Sequence, residues 1–101
     1  MFRSISMPEF YQIAKREPLN IIDVRESDEY AYGHVPTAVN LPLSGFLTSY
    51  TTLEKAKEYY LICQSGARSE NACQFLGAQG YDVINVMGGT SAWMGELDDS
   101  E

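Results

Sequence analysis

The run Glu58-Tyr59-Tyr60-Leu61-Ile62 is β-rich and apolar. It passes directly into Cys63-Gln64-Ser65-Gly66-Ala67-Arg68, after which Ser69 to Gln79 has a helical pattern. A buried strand, a loop of small polar residues and a helix, in that order, make half of a parallel β–α–β unit. This confines the chain to α/β architecture. It also puts a cysteine at the carboxyl end of a parallel strand, where such folds hold their ligands.

The other segments keep the alternation. Arg3 to Ile5 is a short strand. Ser6-Met7-Pro8-Glu9 has the form of a capping box and opens an amphipathic helix to about Arg16, with Phe10, Ile13 and Ala14 inward. Asn20 to Arg25 is a buried strand that turns polar at its end. Ser27 is expected to cap a short helix through Tyr32 that stops at Gly33. Val39 to Leu41 is a third strand, and Leu43 to Tyr50 a helical turn plus loop. Gly80 ends the Ser69–Gln79 helix, and Val83 to Val86 is the last strand. Gly88-Gly89 reads as a turn that lets a final helix pack, Thr90 to Leu97, carrying Trp93.

A length of 101 residues holds one core and leaves no room for a separate cofactor domain. Residues 1–96 are read as the domain and 97–101 as an acidic tail. Glu96, Asp98, Asp99 and Glu101 supply four of the fourteen acidic residues, so this end is expected to be solvated and mobile. The net charge of -7 speaks against a nucleic-acid partner bound by phosphate neutralisation. No apolar run approaches a membrane span, and Glu9 interrupts any apolar signal core. The expected setting is therefore cytoplasmic, with no membrane partner and with free thiols. Cys63, Cys73 and the single His34 make a poor zinc set, and no metal is expected.

The small residues after Cys63 let the backbone curl so that successive N–H groups aim inward as an anion nest. The following helix adds its unpaired amides and the positive end of its dipole. Together these favour a thiolate, and Arg68 adds a cation suited to an anionic substrate.

Further fragments fall in a defined order: Asp23-Val24-Arg25, Glu29-Tyr30, Gly33-His34-Val35-Pro36, Ala38-Val39-Asn40-Leu41-Pro42, Cys63 to Ser69, Gly80-Tyr81, and Gly88-Gly89 followed by Ala92-Trp93. With these, the chain from Ser4 to about Glu96 resembles a single-domain rhodanese. The resemblance implies a three-layer α/β/α fold around a mostly parallel, five-stranded central sheet. It implies a sulfurtransferase without cofactor. Cys63 takes sulfane sulfur from a small donor such as thiosulfate, becomes a persulfide, and passes the sulfur to cyanide or a thiol. The amides of Gln64, Ser65, Gly66, Ala67, Arg68 and Ser69 would cradle the terminal sulfur, with Arg68 helping to bind the anion and His34 structural. The alternative is a relay or interaction module that serves a protein sulfur acceptor.

Asp23 and Arg25 are read as ties between loops, with Glu26 or Glu29 the expected ion-pair partner of Arg25. Thr37 departs from the family, which usually has glycine there. Related phosphatases and arsenate reductases place five residues between Cys and Arg. Four separate Cys63 from Arg68 here, which favours sulfur transfer. Cys73, beside Ala72 on the helix, reads as a small buried hydrophobe, its alternative being a resolving thiol.

Overall fold

Tyr59, Tyr60, Leu61 and Ile62 are all buried, although their side chains alternate between the two faces of the sheet. A strand covered on both sides must be central, and this one is. The computed structural model describes residues 2–99. In it β1 (Arg3–Ile5), β2 (Ile21–Asp23), β3 (Val39–Asn40), β4 (Glu58–Ile62) and β5 (Asp82–Val86) form one sheet in the order β1-β5-β4-β2-β3. Every strand pairing is parallel.

The helices are α1 (Met7–Ala14), α2 (Ser27–Tyr32), α3 (Phe46–Ser49) and α4 (Ala67–Ala78). Tyr59 and Leu61 pack with Phe46 of α3 and with Ala72, Cys73 and Leu76 of α4. Tyr60 and Ile62 face the opposite layer, with Met7 and Phe10 of α1, and Tyr30 of α2 at its edge. This is the three-layer α/β/α arrangement. β2 continues through α2 toward one edge of the sheet, and β4 through α4 toward the other. The carboxyl ends of these two neighbours therefore bound a crevice at the point where the strand order reverses.

Local details differ from expectation. Glu26, not Ser27, is the N-cap of α2, and Glu29 accepts a hydrogen bond from the Glu26 N–H at 3.0 Å. A glutamate three residues into the helix supplies that reciprocal contact, so the helix starts one residue earlier. The final helix is a single 3₁₀ turn, Thr90–Ala92. Trp93 leaves it in an extended conformation and lies edge-on to Phe10 and Tyr11, while its Nε1 donates to the Glu96 carbonyl at 3.0 Å. Gly95, a poor helix residue, allows that return. Asp98 exchanges backbone hydrogen bonds with His34 at 2.8 and 2.9 Å. The chain is thus tied down at Asp98, within the stretch 97–101 expected to be solvated and mobile; Met1, Ser100 and Glu101 lie outside the described residues.

Thr37 adopts φ +72°, the left-handed region that glycine occupies at no steric cost. A β-branched residue there is strained by roughly 1–2 kcal/mol, against the smaller entropic cost of glycine in the unfolded chain. Replacing Thr37 with Gly is expected to stabilise the fold by about 1 kcal/mol. The readout is a rise in urea midpoint with an unchanged m-value; a fall in midpoint would contradict it.

Candidate active site

The loop after β4 closes tightly. Gly66 caps α4 with φ +109°, and α4 begins at Ala67, two residues earlier than the sequence pattern suggests. Gly66 N–H donates to Cys63 Sγ at 3.0 Å, and the Ser69 hydroxyl lies 3.4 Å from the sulfur. Among the amides expected to line the loop, that of Gly66 makes the hydrogen bond to Sγ. Gln64 and Ser65 form the exposed rim, Ala67 is also exposed, and Cys63 is only 1 % exposed. Burial pushes the thiol pKa up. The Ser69 hydroxyl and the amides of Ser69, Gly66 and Ser65 outweigh it, so Cys63 ionises below the ordinary thiol value. Cys73, fully buried without such donors, is pushed up to about 12 by burial.

The start of the loop is pinned from outside through its carbonyls. Cys63 O accepts from Thr90 N–H at 2.8 Å and Thr90 Oγ1 at 3.1 Å, and Gln64 O from Ser91 N–H at 3.0 Å. Gly88-Gly89 makes this possible, a role beyond the helix packing read from sequence. A Cβ on Gly89 would sit 2.5 Å from Cys63 O and 2.6 Å from Gln64 O, closer than any side chain tolerates. Asn85 is a second residue that sequence reasoning passed over. Buried on β5, it lies 2.6 Å from the Ser69 hydroxyl through Oδ1, and its Nδ2 donates to Gly66 O at 3.4 Å. The available signal was one polar side chain in the otherwise apolar run Val83-Ile84-Asn85-Val86.

At the end of β2 the partner of Arg25 is Asp23, correcting the expected Glu26 or Glu29. Nε and Nη2 of Arg25 bond both carboxylate oxygens at 2.9–3.1 Å, with both side chains almost wholly buried. The remaining donors reach Gly33 O at 2.7 Å and Gln64 Oε1 at 3.3 Å. Arg25 therefore ties the end of α2 to the cysteine loop. Asp23 wins because a buried guanidinium needs a buried planar acceptor at bidentate geometry. His34 stacks on Tyr30 at 3.8 Å, and its Nδ1 donates to the Tyr30 carbonyl at 2.9 Å. Its contacts are with Tyr30 and Asp98, not with the loop.

Arg68 does not stand free. On the first turn of α4 it is bidentate to Glu29 of α2 at 2.8 and 2.9 Å. This guanidinium, with the Glu26 amide, holds the Glu29 carboxyl at about 2. A carboxylate lowered from 4.5 contributes its full stabilisation above that pH and loses it only as pH falls toward 2, so the pair is closed at neutrality. Beside the loop runs a groove of about 780 Å³ that meets it at Gln64. A second groove, of about 530 Å³, lies between the end of α1 and Pro36-Thr37 and includes no residue of the loop. Among the described residues no His/Cys/Asp/Glu cluster is placed to hold a metal ion.

Two predictions come from this geometry. Asp23→Ala leaves Arg25 buried without its partner and is expected to cost about 3–5 kcal/mol in urea unfolding; a cost below 1 kcal/mol, or about that, would contradict the clamp. Iodoacetamide should alkylate Cys63 with a rate midpoint below the roughly 8.5 of a free thiol, shifted upward in Ser69→Ala, while Cys73 stays unmodified in the folded protein. Peptide mapping across pH reads both, and a Cys63 midpoint above that of a free thiol would refute the nest.

Comparison with known proteins agrees with this architecture. The rhodanese-like domain family profile matches residues 6–96. Bacillus subtilis YtwF is 46% identical over 85 residues, which cover 84% of this chain and 82% of YtwF. A protein named sulfurtransferase from Allochromatium vinosum is 36% identical over 83 residues, covering 81% and 78% of the two chains. The crystal structure of a rhodanese-like domain protein from Staphylococcus aureus superposes with TM-score 0.88 at 32% identity, covering 99% of this chain and 100% of that one. With its sheet order, its cysteine loop and these relatives, the chain belongs to the rhodanese-like domain family of sulfurtransferases.

Proposed function

We propose that the protein carries sulfane sulfur as a persulfide on Cys63, taking it from a donor such as thiosulfate and passing it to a thiophilic acceptor, cyanide or a thiol. The observation that carries this reading is a buried thiol at the carboxyl end of β4 whose sulfur accepts from Gly66 N–H and lies beside the Ser69 hydroxyl, donors that lower its pKa. The Cys63 thiolate attacks the outer sulfur of thiosulfate, the S–S bond breaks, and sulfite departs with the bonding pair. An acceptor then attacks the outer sulfur of the persulfide, and the thiolate is restored. Neither step needs a general base, so His34 is left to its structural contacts. Added sulfur lies about 2 Å beyond Sγ. There the amides of residues 64–69 supply partial positive charge, with Gln64 steadied by Arg25. The reading places the protein in a reducing compartment such as the cytoplasm, where Cys63 stays available.

A relay reading, in which sulfur passes to or from another protein, is favoured by the mouth of the site. Tyr32 is 95% exposed and lines the groove with Leu97 beside Gln64. Exposed aromatic and aliphatic side chains at an active-site rim suit a macromolecular partner.

Incubation of the reduced protein with excess thiosulfate should add one sulfur atom to Cys63, removable by cyanide, as read by intact mass and peptide mapping. Cys63→Ser should abolish the adduct and Cys73→Ser should largely keep it. Sulfur transfer that survives Cys63→Ser would overturn the mechanism. Retention of a specific protein partner, with negligible small-molecule turnover, would favour the relay.

A further inference from the structure

The crevice is short of free positive charge. Five of the seven basic residues lie toward the amino end of the sheet: Arg3 opens β1 and pairs with Glu58 and Asp82, Lys15 and Arg16 follow α1, and Lys55 and Lys57 precede β4. Only Arg25 and Arg68 remain at the carboxyl end, and both are engaged. Arg25 is enclosed by Asp23, Gly33 O and Gln64. Arg68 is held by a carboxylate that is itself fixed in place: Glu29 Oε1 accepts from both Glu26 N–H and Arg68 Nη1, and Oε2 from Arg68 Nη2. Asp23 and Glu29 thus each hold one of the two guanidiniums, and Asp28 adds a further carboxylate to the groove. The groove that meets the loop at Gln64 is lined by Arg25, Asp28 and Glu29 with Tyr32, Trp93 and Leu97, so its one cation, already held by Asp23, faces two further carboxylates.

The geometry points to Glu29 as the donor-specificity residue of this site: by occupying Arg68 across the crevice it disfavours dianionic donors and leaves Cys63 to be loaded by a persulfide of low charge. The inference rests on the reading that Cys63 carries sulfur. The two donor classes differ in charge. With thiosulfate, a thiolate meets a dianion, three negative charges gather at the loop, and sulfite leaves as a dianion. With a neutral hydropersulfide, R–S–SH, the Cys63 thiolate attacks the terminal sulfur and the S–S bond of the donor breaks. R–S⁻ leaves with the bonding pair, and Cys63 becomes Cys63–S–SH. One negative charge is present throughout, and no oxidant or reductant is needed. A free cation at the mouth matters far more to the first reaction than to the second. Arg68 and Glu29 have side chains 39% and 35% exposed, so the guanidinium is reachable by a substrate once its acceptor is neutralised.

The test measures single-turnover loading of Cys63, by mass, from two probes: thiosulfate, a dianion, and the persulfide of 2-mercaptoethanol, which carries at most one negative charge. In Glu29→Gln, the loading rate from thiosulfate should rise about tenfold or more, within the range that focused charge adds to association rates. This gain should shrink as salt is raised. Loading from the persulfide should change by less than about threefold, so the ratio of the two rates moves. Because the ratio is taken on one protein sample, a partly unfolded population cancels from it. Glu29→Gln combined with Arg68→Gln should lose the gain, which shows that Glu29 acts through Arg68. An unchanged or reduced thiosulfate-to-persulfide ratio in Glu29→Gln, with the persulfide still loading Cys63, would overturn this inference alone. Failure of both probes to load folded wild-type protein would instead overturn the sulfur-carrying role, and the selectivity with it.

Discussion

The site depends on which way a few peptide groups point. In the loop after β4, the carbonyls of Cys63 and Gln64 are bound from outside by the Thr90 and Ser91 amides and the Thr90 hydroxyl. Holding these two carbonyls fixes the path of the loop up to Gly66, whose N–H bonds Sγ, and the donors at the sulfur, with the Ser69 hydroxyl, lower the pKa of a thiol that burial alone would raise. Asn85 steadies the arrangement from below by bonding both Ser69 and Gly66. The chemistry of Cys63 is therefore set largely by β5 and the turn that follows it, more than twenty residues along the chain. Any side chain at Gly89 would push that turn off the loop, which couples the loop's shape to a contact no local pattern encodes.

A second constraint operates at β2. Asp23 and Arg25 form a buried pair whose spare donors engage Gly33 O and Gln64. A pair of this kind contributes little net stability compared with an apolar substitute, but losing one member leaves a costly buried charge. Its value here is positional, because it sets the end of α2 against the cysteine loop. α2 in turn carries Glu29, and α4 carries Arg68, from opposite layers of the fold. The contact between these two side chains closes one side of the crevice. The three ties, from β5, from β2 and between the helices, share the loop as their common partner.

These contacts explain why the two arginines near Cys63 behave differently from a simple expectation of anion binding. An arginine at the end of a cysteine loop suggests a substrate ligand when read alone. Placed on the first turn of α4, Arg68 instead meets a carboxylate that is already held by a backbone amide. An acceptor fixed in advance gains the guanidinium at little further entropic cost, which favours the ion pair over solvent.

The sequence by itself determined the strand–loop–helix unit at Cys63, because a β-rich apolar run ending in small polar residues has few other solutions. It also determined the α/β class and β4 to the residue, and the family resemblance marked the turn at Thr37, where the structure shows a positive φ. Helix starts were legible to within a residue or two, since Glu26 and Ser27, or Ala67 and Ser69, are locally near-equal starting points, whereas the last helix, expected to Leu97, stops at Ala92. What the tertiary structure decided were the partners: Asp23 for Arg25, Glu29 for Arg68, Asn85 for Ser69, His34 for Asp98 and the Gly89–Ser91 turn for the loop carbonyls. Most of these unite residues far apart in the chain, and each was chosen among competing donors and acceptors by burial and angle. Hydrophobic periodicity records which face of an element is buried; it carries no information on which polar group will be waiting across the crevice.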